Sequence, residues 1–121
     1  MWIFAQRGFL SIVAHEDDAS ALHVRARFAG DIERFFPRAT VEVTPGCDYL
    51  YRASIDREAM AKVLADQVRQ IGYRNFKGSI AEPRHSWYFE VWLVMVQAQL
   101  ALSPVTTQQA KKWLRRKMGG K

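Results

Sequence analysis

The stretch from Leu22 to Phe28 alternates without a break: Leu22, Val24, Ala26 and Phe28 are apolar, and His23, Arg25 and Arg27 between them are not. Successive side chains on a strand point to opposite faces, so this pattern predicts a strand with one buried face and one polar face. Such a strand needs neighbours to pair with and a layer to cover its apolar side. Two short apolar runs precede it, Trp2–Ala5 and Phe9–Ala14, and the Gln6-Arg7-Gly8 link between them reads as a tight hairpin. His15 to Ser20 reads as a polar turn.

After the alternating strand, Gly30-Asp31 is expected to cap a brief helix whose apolar side is Ile32, Phe35 and Phe36, stopped by Pro37. Thr40–Val43 and Tyr49–Ile55 read as a second strand pair around the turn residues Thr44 to Asp48. Asp56 is a good N-cap for a helix carrying Met60, Val63, Leu64, Val68 and Ile71 at helical spacing and ending at Gly72. Tyr73–Pro83 reads as a loop. Ser86 is expected to cap a core helix reaching Leu102, with Tyr88, Val91, Trp92, Met95 and Ala98 on its inner face. Ser103-Pro104 breaks that helix, and Thr106 with Gln109 forms a capping pair for a last, basic helix. The expected fold is α+β, a small antiparallel sheet covered on one side by helices. From Leu22 to Gly72 the order strand-helix-strand-strand-helix suits a split ferredoxin-like unit. The expected domains are a single α+β domain over 1–103 and a basic C-terminal helix over 104–121.

A chain of 121 residues is long enough for one core. Its single cysteine, Cys47, excludes a disulfide within the chain. The longest apolar region, Trp87 to Val96, falls short of the ~20 residues that span a bilayer. The opening Met1 to Arg7 is too short for a secretion signal. A cytoplasmic location and no membrane partner are therefore the expectation.

The formal charge of +6 is concentrated at one end. Lys111, Lys112, Arg115, Arg116, Lys117 and Lys121 lie in the last stretch with no acid among them, so everything before Lys111 is electrically neutral. Net charge bears on partners rather than on fold, and here it singles out one segment for something anionic. On a helix, Lys111, Lys112, Arg115 and Arg116 fall on one side, opposite Trp113 and Leu114. That arrangement predicts a helix docked through Trp113 and Leu114 that presents charge to nucleic acid or to a nucleoprotein complex.

Several short motifs occur in a fixed order: Met1-Trp2-Ile3-Phe4 with Gly8-Phe9-x-Ser11, then Val24-Arg25-Ala26-Arg27, Asp48-Tyr49-x-Tyr51-Arg52, Tyr73-x-Asn75-Phe76-Lys77 and Val91-Trp92-x-x-Met95. Together they resemble a widespread family of short uncharacterised proteins of bacteria and their phages, over roughly Met1 to Leu100. That family carries no assigned activity. The resemblance implies a compact bacterial or phage accessory domain and transfers no catalytic residue.

On the sheet, His23, Arg25 and Arg27 share the polar face, and Arg52 joins them if Ala53 and Ile55 face the core. Exposed arginines on a sheet can follow a phosphate backbone, although the strand lacks paired aromatics for stacking bases. Arg25, Arg27 and Arg52 are accordingly expected to assist the basic helix. Trp87 and Val94 exceed what one helix face needs and are read as facing a second copy or another protein.

Enzymatic chemistry is not expected. There is no Gly-rich phosphate loop, dinucleotide fingerprint or nucleophile elbow. His15, Glu16, Asp17 and Asp18 are adjacent in a turn and rarely converge on one ion that way, so neither metal nor cofactor is expected. The leading expectation is a non-enzymatic binding module. The alternatives are a phage-type inhibitor of a host nucleic-acid-handling complex, anti-CRISPR-like in role, and a small metal-independent ribonuclease toxin using His23 with Arg25, Arg27, Arg52 and Tyr51.

Overall fold

The computed structural model describes residues 1–102 and 107–119. Ser103-Pro104, Thr106 and Lys121, which the sequence marks as helix break, cap and last cation, lie outside the described residues. The chain divides into two compact units, Met1–Ser79 and Ile80–Lys121. The division falls at residue 79, where the sequence suggested 103, so the long apolar helix groups with the basic one.

The first unit is a five-stranded antiparallel sheet with two helices. Its strands are β1 (Trp2–Ala5), β2 (Gly8–Ala14), β3 (Ala21–Ala26), β4 (Glu42–Val43) and β5 (Tyr51–Asp56), in the spatial order β1-β2-β3-β5-β4. The helices are α1 (Asp31–Phe35) and α2 (Arg57–Arg69). β3 and β4 each pair antiparallel with β5, so they run parallel to one another with β5 between them, joined through α1. This is the split unit that the element order suggested, and the α+β class is as expected.

One face of the sheet holds the core. Leu10, Ile12, Val24, Ala26, Ala53 and Ile55 meet Ile32 from α1 and Met60 from α2. The strands β2, β3 and β5 alternate in phase, so their apolar residues form one surface and both helices pack on it. The alternation departs from expectation at its ends. The chain leaves the sheet after Ala26, so Phe28 lies beyond the strand and is exposed, and Leu22 is only half-buried.

Gly8 ties the hairpin to α1. A Cβ on it would stand 3.0 Å from Phe35 Cε2 and 3.3 Å from Asp31 Cβ, so any larger residue would press these neighbours back by a few tenths of an ångström. Asp31 does not cap α1. Gly30, at φ +88°, makes the left-handed turn that only glycine adopts freely, and this carries Asp31 into the first turn as a fully buried residue. Its Oδ2 accepts the backbone N–H of Phe9 at 2.9 Å, and its Oδ1 pairs with Arg34 at 3.0 Å.

Asp56 caps α2 as the sequence indicated, accepting the N–H of Ala59 at 3.0 Å. The helix stops at Arg69, short of Gly72, and the outer turn carrying Val68 and Ile71 is exposed. Those two residues line an open cleft with Ile3, Phe4 and Phe35 and stay largely uncovered. Lys77–Ser79 form a single 3-10 turn within the expected loop.

The second unit contains α3 (Arg84–Leu102) and α4 (Thr107–Met118). Ser86 lies inside α3 rather than at its cap; its hydroxyl donates to the Glu82 carboxylate at 2.8 Å. Tyr88 and Val96 are the buried residues of α3, whereas Val91 and Met95 are exposed. Apolar residues run almost all the way round this helix, so spacing alone does not select the face that is covered. No helix among the described residues is long and apolar enough to cross a membrane.

Candidate nucleic-acid interface

The register places Arg25 on β3 directly between Ser11 on β2 and Arg52 on β5. Like charges directly opposite one another destabilise a sheet unless something compensates them. Here the compensation is local. Arg52 pairs with Asp48 (Nη2 to Oδ1, 3.2 Å) and its Nε donates to the carbonyl of Tyr49 at 3.3 Å. Arg25 donates to the Ser11 hydroxyl at 2.8 Å.

Both Arg25 and Arg27 lie over the ring of Tyr49, with Cζ 4.6 and 4.2 Å from its centroid. Arg27 also donates to the carbonyl of Asp48 at 2.7 Å. All three arginines singled out in the sequence therefore converge on Asp48-Tyr49. Tyr49 keeps 3% of its surface and cannot act as a platform for a base. Of the three, Arg27 is exposed; Arg25 and Arg52 are half-buried. The Nε of Arg25 is buried with no hydrogen-bond partner among the described residues, which corrects the expectation of a fully solvated side chain. Stacking on Tyr49 draws it in. The place of Tyr49 in this cluster was not read from the sequence; its only signal was its position after the turn residue Asp48.

The basic helix presents a different surface. Lys111, Lys112, Arg115, Arg116 and Lys117 on α4 are all exposed. The helix contains no acid, so Lys111 faces Arg115 and Lys112 faces Arg116 at the i, i+4 spacing, where like charges repel. The three cations in the last turn do interact favourably with the helix dipole. On the other side Trp113 keeps 39% of its exposure and Leu114 is half-buried. Trp87 and Val94 of α3 are exposed, in keeping with their apolar excess.

The His15–Ser20 turn is closed by its own hydrogen bonds. His15 Nδ1 accepts the backbone N–H groups of Asp17 and Asp18, each at 3.2 Å. The hydroxyl and amide of Ser20 both donate to the Asp18 carboxylate, at 2.6 and 2.9 Å, and hold its pKa below the ordinary range. His23, opposite Ser54 on β5, is also shifted down, first by partial burial and then by the nearby charges of Arg52 and Arg25. A neutral imidazole near pH 7 follows. The rings of His15 and His23 lie 6.5 Å apart, a pairing that sequence distance does not reveal.

No family model, curated protein or solved structure matches the chain, so the resemblance carried by its motifs remains an expectation and function is argued from the residues themselves.

Proposed function

We propose that the protein is a non-enzymatic binding module that engages nucleic acid, alone or within a nucleoprotein complex, through the basic face of α4. One observation carries this reading: Lys111, Lys112, Arg115 and Arg116 stand exposed on a helix without a single acid. Cations at i and i+4 each cost a helix about 0.2–0.5 kcal/mol. A row of phosphates removes that repulsion and releases its own condensed counterions. Trp113 and Leu114 serve to hold the helix while the charged side faces outward. Arg25, Arg27 and Arg52 contribute less, because their donors already engage Asp48, Tyr49 and Ser11. A cytoplasmic location fits this partner.

The test compares the full-length protein with a Lys111→Ala, Lys112→Ala, Arg115→Ala, Arg116→Ala variant by fluorescence anisotropy on labelled single-stranded RNA and duplex DNA. The variant should lose more than about tenfold in affinity while keeping its circular dichroism spectrum. Equal affinity in the two proteins would remove α4 from the interface.

A further inference from the structure

The polar end of the sheet carries a second, independent feature within the Met1–Ser79 unit. His23, Ser54 and Arg52 are neighbours there, and with His15, Arg38 and Glu42 they surround a cleft of about 680 Å³. Pockets of roughly 300–1,000 Å³ suit small organic ligands. The cleft is unusual for its charges. Arg38, Glu16, Asp17 and Glu42 all border it, and none of the four makes an ion pair among the described residues. Opposite charges border one space without a close ion pair among these four, which suits a ligand that itself carries an anion and several hydrogen-bond donors.

The histidines sharpen this. Because Nδ1 of His15 accepts two backbone N–H groups, the proton of its neutral ring is on Nε2. That nitrogen offers a donor to an anion and no lone pair to a metal. His23 adds a second aromatic ring, 6.5 Å away and inclined at 58°. Imidazole faces are among the surfaces on which nucleobases stack.

We infer that this cleft binds a ribonucleotide unit, with the phosphate held by Arg38 and His15 Nε2–H and the ribose hydroxyls donating to the carboxylates of Glu16, Asp17 and Glu42. The shared chemistry is a ribose phosphate, whether a free nucleotide or the phosphorylated end of an RNA strand. This inference does not rest on α4.

The experiment follows the imidazole resonances of His15 and His23 in the full-length protein while titrating inorganic phosphate, ribose 5-phosphate, adenosine 5′-monophosphate and a short RNA with a 5′-phosphate. Ribose 5-phosphate and the mononucleotide should shift both rings and bind about tenfold more tightly than inorganic phosphate. Arg38→Ala, at an exposed residue with no ion pair to lose, should weaken both about tenfold with an unchanged circular dichroism spectrum. Lys112→Ala with Arg116→Ala should leave mononucleotide binding as it was, which separates failure of this site from failure of the α4 interface. Tighter binding of the phosphorylated RNA assigns the site to strand ends, and tighter binding of the mononucleotide assigns it to free nucleotide; both uphold the cleft. Unshifted imidazoles at millimolar ligand, equal binding of phosphate and ribose 5-phosphate, or full binding by Arg38→Ala would each overturn it.

Discussion

The guanidinium of Arg27 lies 4.2 Å above the ring of Tyr49 and, from the same position, donates to the carbonyl of Asp48 at 2.7 Å. With Arg25 also over the ring, a buried tyrosine takes the place of a carboxylate as the shared partner of two cations. Arg25 of β3 and Arg27 just beyond its end thereby fasten the 44–50 turn to the sheet.

Removing the ring should be costly. Tyr49→Ala is expected to lower stability by about 3–5 kcal/mol, the range for deleting a large buried aromatic. Tyr49→Phe keeps the ring face and should cost less than about 1 kcal/mol. A double-mutant cycle between Arg27 and Tyr49 in urea denaturation should return a coupling of about 0.5–1 kcal/mol, as for a partly solvated cation over a ring. A coupling of zero would reduce the contact to coincidence.

Asp31 joins α1 to the first hairpin through the N–H of Phe9. Asp31→Ala leaves that buried donor unpaired and is expected to cost about 2–3 kcal/mol. Asp31→Asn retains an acceptor and should recover more than half of the loss. Amide exchange at Phe9 reports the same event locally: protection should fall in the alanine variant and return in the asparagine variant.

His23 gives stability a defined pH dependence. Its pKa lies below the ordinary 6.5, lowered by partial burial, then by Arg52, Arg25 and His15, with Glu16 opposing. The unfolded chain therefore takes up the proton first as pH falls. The contribution of neutral His23 is complete above about pH 6.5 and is lost as pH falls from there through the folded-state value. Urea midpoints measured at about pH 7.5 and pH 5.5 should differ more in the natural protein than in His23→Gln. An identical pH dependence in the two would mean that His23 is as solvated in the fold as out of it.

What the sequence made legible was what local rules control. The alternation from Leu22 to Ala26, the Gln6-Arg7 hairpin and the Asp56 cap each depend on residues close in the chain, and each produced the expected element. The sequence also located the cations. It did not show what covers them: alternation assigns Arg25 a face, but only the register that brings Tyr49 beneath it makes that face half-buried. The same holds for the cleft. His15 follows the end of β2 and His23 is the third residue of β3, paired with Val13, so their proximity comes from how the turn folds β3 back on β2. In α3 the apolar residues were too many for spacing to choose among, and Val96 was covered where Met95 had been expected.

The central claim is that a small set of α4 cations meets phosphates, and the salt dependence of binding tests it most directly. Each phosphate neutralised contributes a slope of about −0.9 to log K against log salt on duplex DNA and about −0.7 on single strands. Four contacts from Lys111, Lys112, Arg115 and Arg116 should give about −3.6 and −2.8. The variant lacking all four charges should bind weakly, with a slope close to zero. If it instead keeps the affinity and the slope of the natural protein, the phosphates are met elsewhere and α4 is not the interface.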